Sequence, residues 1–159
     1  MQLSRKSGGF TIIELMLVIL IVCILGALVA LTASGVQARN RNGDRQKDID
    51  ALRMQLESYY AGHDKYPTSD NLSDAAWRSV NTPRLQNGLI DDPRWDIGVT
   101  ACTRDSKPVF ASHPASNCYS YQVTASDGSV CNNAKTPCAH YTLTAVLEGG
   151  ENYVKSSLN

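Results

Sequence analysis

One carboxylate stands where hydrocarbon penalises it. Glu14 is the only charged residue between Lys6 and Arg39, and the seventeen residues that follow it (15–31, LMLVILIVCILGALVAL) are apolar throughout. A carboxylate within a membrane helix costs roughly 2.5–3.5 kcal/mol on insertion scales and as a rule is paired and functional. A plainer account is that Glu14 lies barely a turn inside an apolar stretch that Phe10 to Ile13 extend backwards, and snorkels to the headgroups. That account does not explain why the sole charge falls at this position. Elsewhere the chain offers little for chemistry. His63, His113 and His140 are scattered through loop-like sequence, with no nucleophile–base motif and no phosphate-binding glycine loop. Asp91-Asp92 before Pro93 has the residue type to ligate calcium, but an acidic turn is the commoner role, so no catalytic residue, metal ligand or cofactor is assigned.

Glu14 must be positioned by a helix, and the composition says of what kind. The 159 residues carry fifteen basic and fifteen acidic side chains, so no global field draws in nucleic acid, and nucleic-acid binding is not supported. A mean hydropathy of −0.23 averages a split chain, apolar near its start and rich in Asp, Asn, Ser and Thr afterwards. The apolar stretch approaches the roughly 20 helical residues that a bilayer needs. It exceeds the core of a secretory signal, and no A-x-A follows it; Ala30 to Ser34 only imitates such a site.

Ser7 to Val18, SGGFTIIELMLV, resembles the type IV prepilin signal (a class III prepilin signal). A short basic leader with Arg5-Lys6 ends in Gly9, Phe10 follows, and Glu14 is the fifth residue after the junction. The resemblance covers about the first 30 residues and is specific, because leader, Gly, Phe, Glu spacing and apolar run must coincide. It implies membership of the type IV pilin/prepilin family, cleavage after Gly9 by a prepilin peptidase/N-methyltransferase, and N-methylation of Phe10. It also implies assembly by a platform and its ATPase. Cleavage creates an amine at Phe10 that Glu14 of a stacked neighbour can neutralise, which would fix the axial register. Loss of Arg5 and Lys6 leaves thirteen basic residues against fifteen acidic, a net charge of −2. By the positive-inside rule, Arg39, Arg41, Arg45 and Lys47 favour the opposite orientation, whereas the resemblance implies a cytoplasmic N-terminus with the head outside.

The remainder predicts an α+β pilin-like lollipop: a long N-terminal helix packed on a small antiparallel sheet. No proline precedes Pro67, so one helix from about Phe10 to Tyr60 is expected, a rod on the order of 75 Å at 1.5 Å per residue. Many pilins kink this helix at a proline. Here only Gly26, Gly35 and the Asn40-Arg41-Asn42-Gly43 stretch could soften or break it. Ile49, Leu52, Leu56 and Tyr59 recur at helical spacing, and Gly62 is the expected stop. Residues 60–67 resemble the Tyr…Tyr-Pro junction that follows the spine in many pilins and pseudopilins. Beyond Thr68 the chain reads as irregular to Pro108, with a short helix from Asp74 to Val80 capped by Ser73 and with Trp77 and Trp95 anchoring loops. Alternation over 119–124 and 141–147 predicts strands, joined by Val109-Phe110 and Tyr153-Val154. The expected organisation is a leader (1–9), a transmembrane or filament-core helix (10–36), an amphipathic spine half (37–62) and a disulfide-containing head (63–159).

Of five cysteines, Cys23 lies in the span, and Cys102, Cys118, Cys131 and Cys138 lie in the head. An even set in a loop-rich exported head reads as two disulfides with three connectivities open. Sequential pairing, Cys102–Cys118 and Cys131–Cys138, is favoured by the short loops, each worth roughly 2–4 kcal/mol. A zinc site on Cys131, Cys138 and His140 with one more cysteine lacks a Cys-x-x-Cys and regular His spacing.

The function expected from these residues is structural, not enzymatic. The chain reads as a type IV pilus subunit, single-pass in membrane lipid before it enters a cell-surface homopolymer. The alternatives are a pseudopilin of a type II secretion or DNA-uptake system and, in a different class, a non-polymerising membrane-anchored binding module. A mere anchor needs neither Glu14 nor the Gly9–Phe10 junction.

Overall fold

The computed structural model describes residues 9–85, 87–95, 102–104 and 107–159, with side chains at 29–34, 87, 103, 104, 107 and 108 outside the description. Residues 1–8 of the expected leader therefore lie outside it. The chain divides into two units, one ending at Ala38 and the other beginning at Arg39.

Helix α1 runs from Ile12 to His63, continuing through Gly26, Gly35 and the Asn40–Gly43 stretch, so the expected weak points do not interrupt it. Its stop differs from expectation. Gly62 is still helical, and Asp64 takes the left-handed turn at φ 53° while its N–H bonds the Tyr60 carbonyl at 2.8 Å. A short side chain that can bond locally makes Asp one of the few residues able to do this.

In the second unit the α1 stripe Ile49, Leu52 and Leu56 is fully buried. It shares one core with Tyr66, Leu72, Phe110, Tyr119, Tyr121, Tyr141, Leu143 and Ala145. The sheet is antiparallel, ordered β3 (Tyr119–Thr124), β4 (His140–Val146), β5 (Asn152–Ser156), with Tyr121 opposite Leu143 and Ala145 opposite Tyr153. This is the expected α+β arrangement of helix on a small sheet. Ala111, next to the expected Val109-Phe110 strand, makes only an isolated bridge to Ser120.

The segment after Thr68 is more ordered than its composition suggests. Thr68 caps α2 (Ser69–Ser73) in a reciprocal box with Asn71, and Asp74, not Ser73, caps α3 (Ala75–Asn81) by accepting from Ala76 N at 2.8 Å. Ser73 is instead the last residue of α2, where its hydroxyl accepts from Phe110 N at 3.4 Å. A 3₁₀ turn (Asn87–Leu89) and the two-residue strands β1 (Thr103–Arg104) and β2 (Lys107–Pro108) complete the elements. Trp77 packs on the core beside Tyr59, with ring centroids 5.5 Å apart.

Polar groups also tie the helix to the sheet. Tyr119 donates its hydroxyl to Asp48 at 2.7 Å, Tyr153 to Asp50 at 3.0 Å, and Tyr66 and Tyr141 to the two oxygens of Glu57 at 2.9 and 2.7 Å. Buried phenols need such partners, and an ionised acceptor makes the bond stronger. Burial and the neighbouring carboxylates together push the hydroxyls of Tyr66, Tyr119 and Tyr141 well above the ordinary tyrosine range.

One turn before Ile49 on the same face sits Arg45, 1% exposed, clasping Asp92, equally buried, through Nε–Oδ2 at 2.6 Å and Nη2–Oδ1 at 2.9 Å. Asp92 also accepts from Arg94 N at 2.8 Å, and Arg45 Nη1 reaches Asn42 Oδ1 at 3.1 Å and Glu148 at 3.4 Å. Arg41 holds Glu148 in a two-pronged pair, and Asn42 bonds the backbone of Glu148 in both directions, at 3.2 and 2.8 Å. Helix α1 thereby grips the β4–β5 turn, where Gly149 and Gly150 adopt positive φ that a Cβ would strain. Removing one member of a buried ion pair leaves the other charge uncompensated. Asp92→Ala is therefore expected to destabilise the head by about 3–5 kcal/mol, read from urea denaturation in detergent. The Arg41 guanidinium holds the Glu148 carboxyl at about 2, below its ordinary 4.5. Folded protein therefore binds fewer protons than unfolded chain in that window, so stability present above pH 4.5 is lost as pH falls towards 2. Glu148→Gln should flatten that acid slope; an unchanged slope would assign it to other carboxylates.

Candidate assembly site

In the first unit, Gly9 and Phe10 precede the helix as non-helical, exposed backbone, with Phe10 77% exposed. A peptide bond in that state is open to a hydrolase without unwinding anything. Nothing in the described fold requires glycine at position 9: a Cβ there would meet no atom within 4 Å, and its φ is not in the left-handed region. A requirement for glycine at this site is thus one imposed by whatever binds it from outside.

Two residues later the helix is started by Thr11, a residue outside the sequence expectations. Its hydroxyl accepts from Glu14 N at 3.3 Å and its carbonyl from Leu15 N at 3.1 Å. The signal was available: Thr-x-x-Glu is the spacing of a capping box. The cap fixes Glu14 in the first turn, where the helix dipole favours an anion. Glu14 is exposed and, among the described residues, has no ion-pair partner. The apolar side chains that follow are also uncovered, Ile12, Ile13, Leu15, Leu17, Ile21 and Leu28 all being more than two-fifths exposed. Such a helix, apolar all round, is one that buries itself against something else. Among the described residues no helix is long and apolar enough to cross a membrane. The side chains of 29–34, part of the stretch expected to span, fall outside the description.

The head cysteines fall into two pairs. Cys131 is bonded to Cys138, with Cα atoms 5.2 Å apart. Cys102 and Cys118 stand as buried thiols in one small cluster with Ala111 and Ala115, and Cys23 is exposed on α1. Among the described residues no three His, Cys, Asp or Glu side chains converge as a metal site. Asp92, weighed as a calcium ligand, is instead the partner of Arg45.

Residues 4–30 match the family described as the prokaryotic N-terminal methylation motif. The chain is 34% identical over 84 residues to the type II secretion system core protein G of Dickeya chrysanthemi, covering 51% of this chain and 53% of that protein. To the protein of the same name from Aeromonas hydrophila it is 37% identical over 83 residues (50% and 54%), and to that from Vibrio cholerae 32% over 90 (55% and 60%). The chain thus spans about half the length of the curated relatives it matches. No solved structure matches it. Signal, fold and relatives liken the chain to type IV pilin-like proteins that bear a prepilin signal, a class of structural subunits and not of enzymes.

Proposed function

We propose that this chain is a pseudopilin-type subunit of a type II secretion machine. This revises the expectation of a pilus subunit, because the relatives that the chain matches are named as type II secretion core proteins. In this reading the precursor sits in the membrane as a single-pass protein with its head outside. A prepilin peptidase/N-methyltransferase cuts after Gly9 and methylates Phe10. An assembly platform and its ATPase then move the subunit into a filament of identical copies.

The observation that carries the proposal is an apolar helix uncovered over residues 12–28 and headed by Glu14, which has no ion-pair partner among the described residues. Lipid covers that helix before assembly, and neighbouring copies cover it afterwards. The new Phe10 amine and Glu14 of an adjacent copy cancel two charges that an apolar core would penalise. A pilus remains the second reading, favoured by the disulfide-bearing head. Loss of secreted proteins on deletion of the gene supports the first, and loss of surface filaments with secretion intact supports the second.

Glu14→Ala should reduce entry into sheared or cross-linkable filaments at least about tenfold, since an unpaired charge in hydrocarbon costs roughly 2.5–3.5 kcal/mol. Processing at Gly9–Phe10 should be unaffected. A Glu14→Ala chain that polymerises as well as wild type would remove the pairing from the account, and a wild-type chain that never leaves the membrane would favour the non-polymerising anchor.

A further inference from the structure

Cys102 and Cys118 lie apart from the main core. With Ala111 they form a satellite cluster of three small residues, to which, among the described residues, Ala115 adds partial cover. Alanines and thiols bury little apolar area, so packing alone stabilises this corner weakly. The backbone nevertheless presents both cysteines from braced positions. Cys102 O accepts from Val109 N at 2.8 Å, Ala115 bridges Cys118, and Ala111 is hydrogen-bonded to Tyr119 and Tyr121 on either side, at 2.9 and 3.2 Å. Asn117 turns the chain into Cys118 with φ 60°.

The thiols' partners are poor. Cys102 donates to the Asn117 carbonyl at 3.7 Å and Cys118 to the Ala115 carbonyl at 4.0 Å, and the two cysteines share one buried cluster. The other head pair, Cys131–Cys138, is already oxidised, which marks the head as one that matures where disulfides persist.

We propose that Cys102 and Cys118 are the second disulfide of the head, formed by thiol–disulfide exchange with a disulfide donor. One cysteine thiolate attacks the donor's S–S bond to give a mixed disulfide and release one donor thiol. The second thiolate displaces the other donor sulfur, closing Cys102–Cys118. The electron pair ends on the donor, which leaves as two thiols carrying the two protons that the cysteines lost. Burial pushes both thiols above their ordinary range, so exchange proceeds when the cluster opens or before it packs. The result closes the 102–118 loop covalently, and Cys23 remains the one free thiol. This inference does not depend on how the chain assembles.

The test uses the full chain in detergent, reduced, freed of reductant and exposed to glutathione disulfide, then denatured, alkylated and digested with trypsin without reduction. The Cys102 peptide is 95–104, Cys118 and Cys131 share 105–135 because Lys107 precedes Pro108, and Cys138 lies in 136–155. The expected product is one species joining all three peptides, dissociated by reductant. In Cys118→Ser, 95–104 should be released while 105–135 stays joined to 136–155, which excludes a Cys102–Cys131 pairing. Recovery of wild-type 95–104 alkylated at Cys102, with Cys118 also alkylated, overturns the proposal, as does a Cys118→Ser chain whose 95–104 peptide remains joined.

Discussion

The architecture turns on what can cover an apolar helix. Residues 12–28 present Ile, Leu, Met and Val on every side, exposed in the isolated chain, and interrupt them with a single carboxylate held in the first helical turn by Thr11. Water cannot remain the environment of such a surface, and the carboxylate restricts what may replace it. Lipid accepts Glu14 only at its boundary, whereas a stack of copies can supply a cation for it. In the proposed reading that cation appears only when the chain is cut before Phe10, which would link processing and assembly through one charge.

The second half of the same helix solves the opposite problem. It docks on a sheet whose core-facing residues are largely tyrosines, and each hydroxyl that enters the interface has to be satisfied. Asp48, Asp50 and Glu57 do this from the helix, while Arg45 extends the buried stripe with a guanidinium neutralised by Asp92. The head is held by directional bonds between specific partners as well as by apolar area. That suits a small domain with few large aliphatic residues to bury. Arg41 and Asn42 carry the same logic to the β4–β5 turn, where a loop with two glycines gains a fixed position from the helix beside it.

What could be read from the sequence was what repeats locally. The Ile49, Leu52, Leu56 stripe and the alternation of Tyr119, Tyr121 and Tyr141, Leu143 follow from helical and strand periods, and they led directly to the helix-on-sheet head. The Gly9, Phe10 and Glu14 constellation was legible because all of it lies within six residues. Arg45 was not, since a charge in helical register reads as solvent-facing until Asp92, 47 positions away, is seen to meet it. The tyrosine–carboxylate bonds were hidden for the same reason. Asp64 and Asp74 displaced the expected Gly62 and Ser73 because several short polar residues stood within reach of each helix end, and local geometry chose between them.

The proposed pairing of Glu14 rests on the Gly9–Phe10 junction, because it needs a new amine at Phe10. The direct measurement is the intact mass and N-terminal peptide of the protein isolated from the cells that make it. The account requires a chain beginning at N-methylated Phe10. A chain that still begins at Met1 would contradict it and leave a simple membrane anchor, and one that begins near Ser34 would make the head a secreted soluble domain.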